Sequence, residues 1–142
     1  MIRFLLTLAL FIQSISHGSV KECWSDASRS CLLTGSLEVH TYPGRPNYQD
    51  IKKGDEEETG LYLKLDQPVT IHFKDWVDGK ETSAHEQVLL MHIAGEFSDR
   101  FFGIAKGKNH VSIHAPIFEW QNGHHHTHFV IGAKNNIVVD KK

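Results

Sequence analysis

The chain has 142 residues, with 15 Lys and Arg against 17 Asp and Glu, 11 His and a formal net charge of −2. A slightly acidic surface of mixed sign argues against nucleic acid and anionic membrane as main partners. No apolar run reaches the roughly 20 residues that a membrane helix needs.

Residues 1–18 read as an export leader. Arg3 gives a basic start, Phe4 to Ile12 an apolar stretch, and Gln13 to Gly18 a small-residue exit. The expected product is secreted or periplasmic, with residues 19–142 forming one domain that is not inserted in a membrane. Val20-Lys21-Glu22 precede Cys23 and lack the small apolar residues of a lipid-attachment site. Cys23 and Cys31 are expected to pair in an oxidising compartment. Closing that short loop is worth about 2.5 kcal/mol in the chain-entropy picture. Two free or metal-binding thiols are the alternative.

Lys21 to Ser30 reads as a polar lead-in. Leu33, Leu37, Val39 and Thr41 share one parity, opposite Ser36, Glu38, His40 and Tyr42, which predicts a first strand ended by Pro43-Gly44-Arg45-Pro46-Asn47. A long polar connection follows, through the acids Asp55 to Glu58, to Gly60. Loops of that length are usually functional or disordered, and its aromatic, Asn and Pro content predicts order. Leu61, Leu63, Leu65, Val69, Ile71 and Phe73 give the clearest strand, with a bulge expected at Asp66-Gln67-Pro68. Asp78-Gly79 marks a turn and Val88 to Ile93 a third strand. A helix is predicted over Glu96 to Gly107, with Ser98 as its cap. Val111, Ile113 and Ala115 predict a fourth strand, Thr127 to Ala133 a fifth, and Ile137 to Val139 a short last one.

Five strands with one short helix between the third and fourth is the order of a mostly β, five-stranded OB-fold-like Greek-key barrel. Other small antiparallel barrels and sandwiches share the pattern. In an OB barrel the loops joining strands 1–2 and 4–5 flank one binding face. Here these are the 43–60 segment and Gly123-His124-His125-His126, the two most unusual stretches of the chain.

Tyr42-Pro43-Gly44, Pro46-Asn47-Tyr48, Gly54-Asp55, Glu58-Thr59, Leu63, Leu65-Asp66, Pro68, Val111, Ile113, Ile117-Phe118 and Gly123 to Thr127 form a joint pattern over residues 31–131. On these residues the chain resembles a bacterial family catalogued as domain of unknown function 4431. It departs from that family at Ala115, Trp120, Asn122 and His128. The resemblance implies an exported bacterial protein and a site location, but no activity.

Imidazole is the commonest protein metal ligand. On a strand, alternate residues share a face, so His124, His126 and His128 are the expected Zn²⁺ or Cu²⁺ ligands, completed by Asp55 or Glu58. The alternative is that these histidines hydrogen-bond loop backbone and hold the two loops together. Tyr42, Asn47, Tyr48, Asp55, Glu58 and His125 are the expected ligand contacts. The chain has no His-Glu-x-x-His helix and no nucleophile elbow, so the expectation is a non-enzymatic binding domain. A zinc-dependent hydrolase with Glu58 as general base, or a module binding a protein or envelope polymer, are the competing readings. The remaining histidines, His40, His72, His85, His92, His110 and His114, read as ordinary surface or core residues.

Overall fold

The computed structural model describes residues 20–95, 99–107, 110–132 and 137–139. The expected leader and Ser98 lie outside the described residues, as does Ala133. The described chain is mostly β, with seven strands in one sheet and one α-helix. The strands are β1 (Lys21–Trp24), β2 (Ser30–Pro43), β3 (Glu57–Val77), β4 (Lys80–Ala94), β5 (His110–Glu119), β6 (Phe129–Gly132) and β7 (Ile137–Val139). The helix α1 (Asp99–Lys106) lies between β4 and β5, as predicted.

Five of the strands form a closed circuit. β2 runs antiparallel to β3 and β5, β3 to β4, and β5 to β6. A parallel pairing of β4 with β6 completes the ring, with His92 beside Val130 and Ile93 beside Ile131. β1 pairs in parallel with β3 over Val69–His72, beyond the part of β3 that pairs with β2, and β7 pairs with β5.

Period-two alternation builds the interior. Leu33 and Leu37 from β2, Leu61, Leu63, Leu65 and Ile71 from β3, Met91 and Ile93 from β4, Ile113 and Ile117 from β5, and Phe129 and Ile131 from β6 point inward and pack into one cluster. Burying each such side chain stabilises the fold by about 1.5–3 kcal/mol. Phe101, Ile104 and Ala105 of α1 pack against the same cluster. The expected bulge is present, as the β3–β4 register shifts between Lys64 and Val69. Cys23 and Cys31 form the predicted disulfide, with Cys23 in the core.

Four expectations change. Lys21 to Trp24 is a strand, not a lead-in; its single buried position, Cys23, gives too little apolar pattern to reveal it. β4 begins at Lys80, because the exposed half of a hairpin carries polar residues on both faces. β3 begins at Glu57, so Glu57 and Glu58 belong to a strand and not to the acidic loop. β6 begins at Phe129, so residues 124–128 are not strand.

Candidate functional site

The connection between β2 and β3 is ordered by one carboxylate. Asp55 is buried. Its Oδ1 accepts from the Asn47 backbone N–H at 2.9 Å and from Asn47 Nδ2 at 3.1 Å, and its Oδ2 from the N–H groups of Gln49 and Asp50 at 2.8 and 2.9 Å. Those bonds, led by the Asp50 and Gln49 N–H groups, hold its pKa down at about 2. Backbone bonds from Gly44 N to Glu56 O and from Glu56 N to Arg45 O close the loop at its base.

The histidine loop is equally determined. Asn122 makes the turn, its Oδ1 accepting from His124 N at 3.0 Å and its backbone O from His125 N at 3.1 Å. Trp120 N donates to His128 O at 2.8 Å across the neck. Thr127 pins the far side to β4, because its Oγ1 accepts from His92 N at 2.8 Å and donates to Phe129 O at 2.7 Å.

Glu58 joins the two. His124 Nδ1 lies 2.6 Å from Glu58 Oε1 and His126 Nε2 lies 3.0 Å from Oε2. A carboxylate only accepts, so each imidazole donates a ring N–H and its tautomer is fixed. Tyr42 stacks on His126, with centroids 4.8 Å apart, and Tyr48 meets His124 edge-on. Gly123 lets the Tyr48 ring come this close: a Cβ there would lie 2.9 Å from it.

Beneath the loop, the outward face of the sheet is buried. Tyr62 of β3, His92 of β4 and Val130 of β6 are cross-strand neighbours in one row. Tyr62 and Val130 are fully buried yet stand apart from the inner core. Tyr62 stacks on His92 at 4.7 Å, and His92 lies beside His126 and His125. Burial, reinforced by the nearby His125 and His126, pushes the His92 pKa down to about 4. Burial also lowers that of His125 and raises that of Tyr62. At neutral pH His92 is therefore neutral and Tyr62 carries its proton.

Two adjoining clefts of about 320 and 260 Å³ meet over Gly60. Glu58, Gly60, Tyr62, His92, His124 and His126 line the first, and His125 and Phe102 extend the second. Tyr62 Oη and His92 Nδ1 are buried without a hydrogen-bond partner. A cleft of about 640 Å³ between β2, β3 and α1 is larger, but its acids are already engaged. Glu38 is with His40 at 2.7 Å and Lys64 at 3.9 Å, and Asp66 is with His110 at 2.7 Å. Unpaired buried polar atoms mark the Gly60 clefts instead.

Comparison with protein-family models, curated proteins and solved structures returns no match to this chain.

The structure brings Tyr42, Tyr48, Glu58, His124, His125 and His126 together. It corrects two other expectations. Asp55 and Asn47 bond each other and build the loop, both Asp55 oxygens are engaged there, and neither residue lines the clefts. His128 does not share a face with His124 and His126, because the segment is a loop; its Nδ1 is 2.7 Å from Glu86 Oε2 and its ring packs on Phe73. Among the described residues no three His, Cys, Asp or Glu side chains converge as a ready metal set. Sequence reasoning missed Tyr62 and His92. Their signal was parity: both sit on the polar, outward side of apolar strands.

Proposed function

We propose that this chain is an exported binding domain, not an enzyme, with a small-ligand site over Gly60 between the 44–56 loop and the 120–128 loop. We read the closed circuit as an OB-type barrel, and its strand order supports that reading. Counting only the circuit, the strands run first–second–third–fifth–fourth and back to the first, with a parallel third–fifth pair and a helix after the third. The likeness to the bacterial domain family, carried by Tyr42 to Tyr48 and Gly123 to Thr127, supports the same location.

The observation that carries the proposal is the fully buried Tyr62 hydroxyl with no partner beside a cleft. A purely structural tyrosine would bond its hydroxyl or be a phenylalanine, since leaving such a group unmade costs about 1–3 kcal/mol. Tyr62→Phe should therefore raise the stability of the ligand-free protein by about 1 kcal/mol in urea unfolding. A destabilised variant would mean that the hydroxyl serves the fold, and the site reading would fall.

A metal is the second reading, favoured by one observation. Glu58 holds His124 and His126 through one ring nitrogen each, the arrangement by which carboxylates orient metal-binding imidazoles. Zinc or copper would then bind through a second ring nitrogen, Nε2 of His124 or Nδ1 of His126. Metal analysis of tag-free protein should show stoichiometric metal that disappears in His124→Ala/His126→Ala. Metal-free protein removes this reading and the zinc-dependent hydrolase with it.

A further inference from the structure

We infer that Asn122-Gly123 is a self-modifying site. In the folded chain the Asn122 side chain closes on the Gly123 nitrogen and reopens as aspartate and isoaspartate, and the isoaspartate form frees the histidine loop from Glu58. The inference does not depend on what the clefts over Gly60 hold.

The sequence singles out one position. The chain has five asparagines, and only Asn122 is followed by glycine. Ring closure brings the backbone nitrogen of the next residue onto the asparagine Cγ, and a side chain on that residue obstructs the approach. Gly123 has none, and its backbone is free to take the geometry that closure needs.

The folded loop leaves the reacting atoms open. Asn122 and Gly123 are both exposed. Asn122 Oδ1 accepts from His124 N at 3.0 Å, and a backbone N–H aimed at a carbonyl oxygen stabilises the negative charge that builds there on attack. Among the described residues neither the Gly123 N–H nor Asn122 Nδ2 has a hydrogen-bond partner, so no bond has to break before the attack. Asn47 is the contrast: its Nδ2, the group that would leave, is tied to Asp55 Oδ1 at 3.1 Å.

The reaction needs only water. Solvent hydroxide takes the Gly123 N–H proton, the nitrogen bonds to Asn122 Cγ, and the Cγ–Nδ2 bond breaks. The nitrogen leaves as ammonia with a proton from solvent. Water then opens the cyclic imide at one of its two carbonyls. Breaking the new bond to Cγ gives aspartate, which still offers an oxygen to His124 N. Breaking the original peptide bond gives isoaspartate. Its chain runs through Cγ and gains one backbone atom. Its former backbone carbonyl, which accepts from His125 N at 3.1 Å, becomes a free carboxylate. Both bonds that shape the turn are thus remade in isoaspartate, immediately before His124. That moves His124 and His126 off the Glu58 oxygens they hold at 2.6 and 3.0 Å.

The test is incubation of the full tag-free chain in mildly alkaline buffer, folded and in urea, read by peptide mass spectrometry. Asn122 should convert in the folded chain at least as fast as in urea, with isoaspartate among the products, while Asn47 stays intact in the folded chain. Slower conversion in the folded chain than in urea would overturn the inference, because the fold would then protect the site. In NMR spectra of the purified isoaspartate form, the His124 and His126 ring signals should move to where Glu58→Ala puts them. Asn122→Asp should keep the wild-type ring signals. An isoaspartate form with unmoved ring signals would overturn the release of the loop.

Discussion

Acidification from neutral pH reaches His92 before it reaches Asp55. The unfolded chain protonates His92 at its ordinary 6.5, whereas the folded ring resists until about 4. The unfolded state thus binds the extra proton in that window. Stability from this residue is complete above pH 6.5 and is lost as pH falls toward 4. Asp55 acts lower down: its pKa falls from 3.8 unfolded to about 2 folded, so its contribution is complete above 3.8 and is lost as pH falls through about 2. Urea midpoints measured against pH should show two declines, the upper one flattened by His92→Gln and the lower one by Asp55→Asn. A single decline untouched by His92→Gln would refute the buried neutral imidazole. At this scale the sequence was partly legible. A run of histidines after a turn marks a special loop, and Glu58 among four acids was a fair partner. His92 and Tyr62, each on the polar parity of an apolar strand, read as ordinary outward side chains, and only the folded loop shows that this outward face has a roof.

Two elements hold that roof. Thr127 ties the histidine loop to β4 through the His92 amide. Thr127→Val keeps the shape but strands that N–H, at a cost of about 1–3 kcal/mol, and amide exchange at His92 should speed up while the inner strands stay protected. Thr127→Ser should restore slow exchange. On the opposite side, a Cβ at Gly44 would lie 2.6 Å from Glu58 Cγ. Gly44→Ala must therefore push Glu58 off its two imidazoles, and overpacking of this kind costs about 1–3 kcal/mol. An unchanged thermal midpoint would show that Glu58 is loosely held. Strands were readable where one face is apolar: the odd-numbered residues from Leu61 to Phe73 announce β3. They were unreadable where neither face is. β1 has one inward residue, and the first half of β4 projects with β3 as an exposed hairpin ending in Trp76, Val77, Asp78 and Gly79.

For the whole molecule, the disulfide and the circuit have separable effects. Cys23 anchors β1 to the core and Cys31 lies at the start of β2. Cys23→Ala/Cys31→Ala should lower unfolding free energy by about 2–3 kcal/mol, read as a lowered urea midpoint. The closed ring was within reach of sequence, because strand order and one helix after the third circuit strand narrow the architectures. The parallel β4–β6 closure was not, because it depends on where a loop returns and leaves no local pattern.

That closure lies directly under the histidine loop, where His92 meets Val130. The strands cannot part without also dismantling the place where a guest molecule would sit. Any compound that lodges there must be expelled before the chain melts, and so raises the melting temperature of the entire protein. At a hundredfold excess over its dissociation constant the gain is about 2.7 kcal/mol. A simple heat-denaturation screen of diverse compounds can therefore report occupancy without knowing what the protein does.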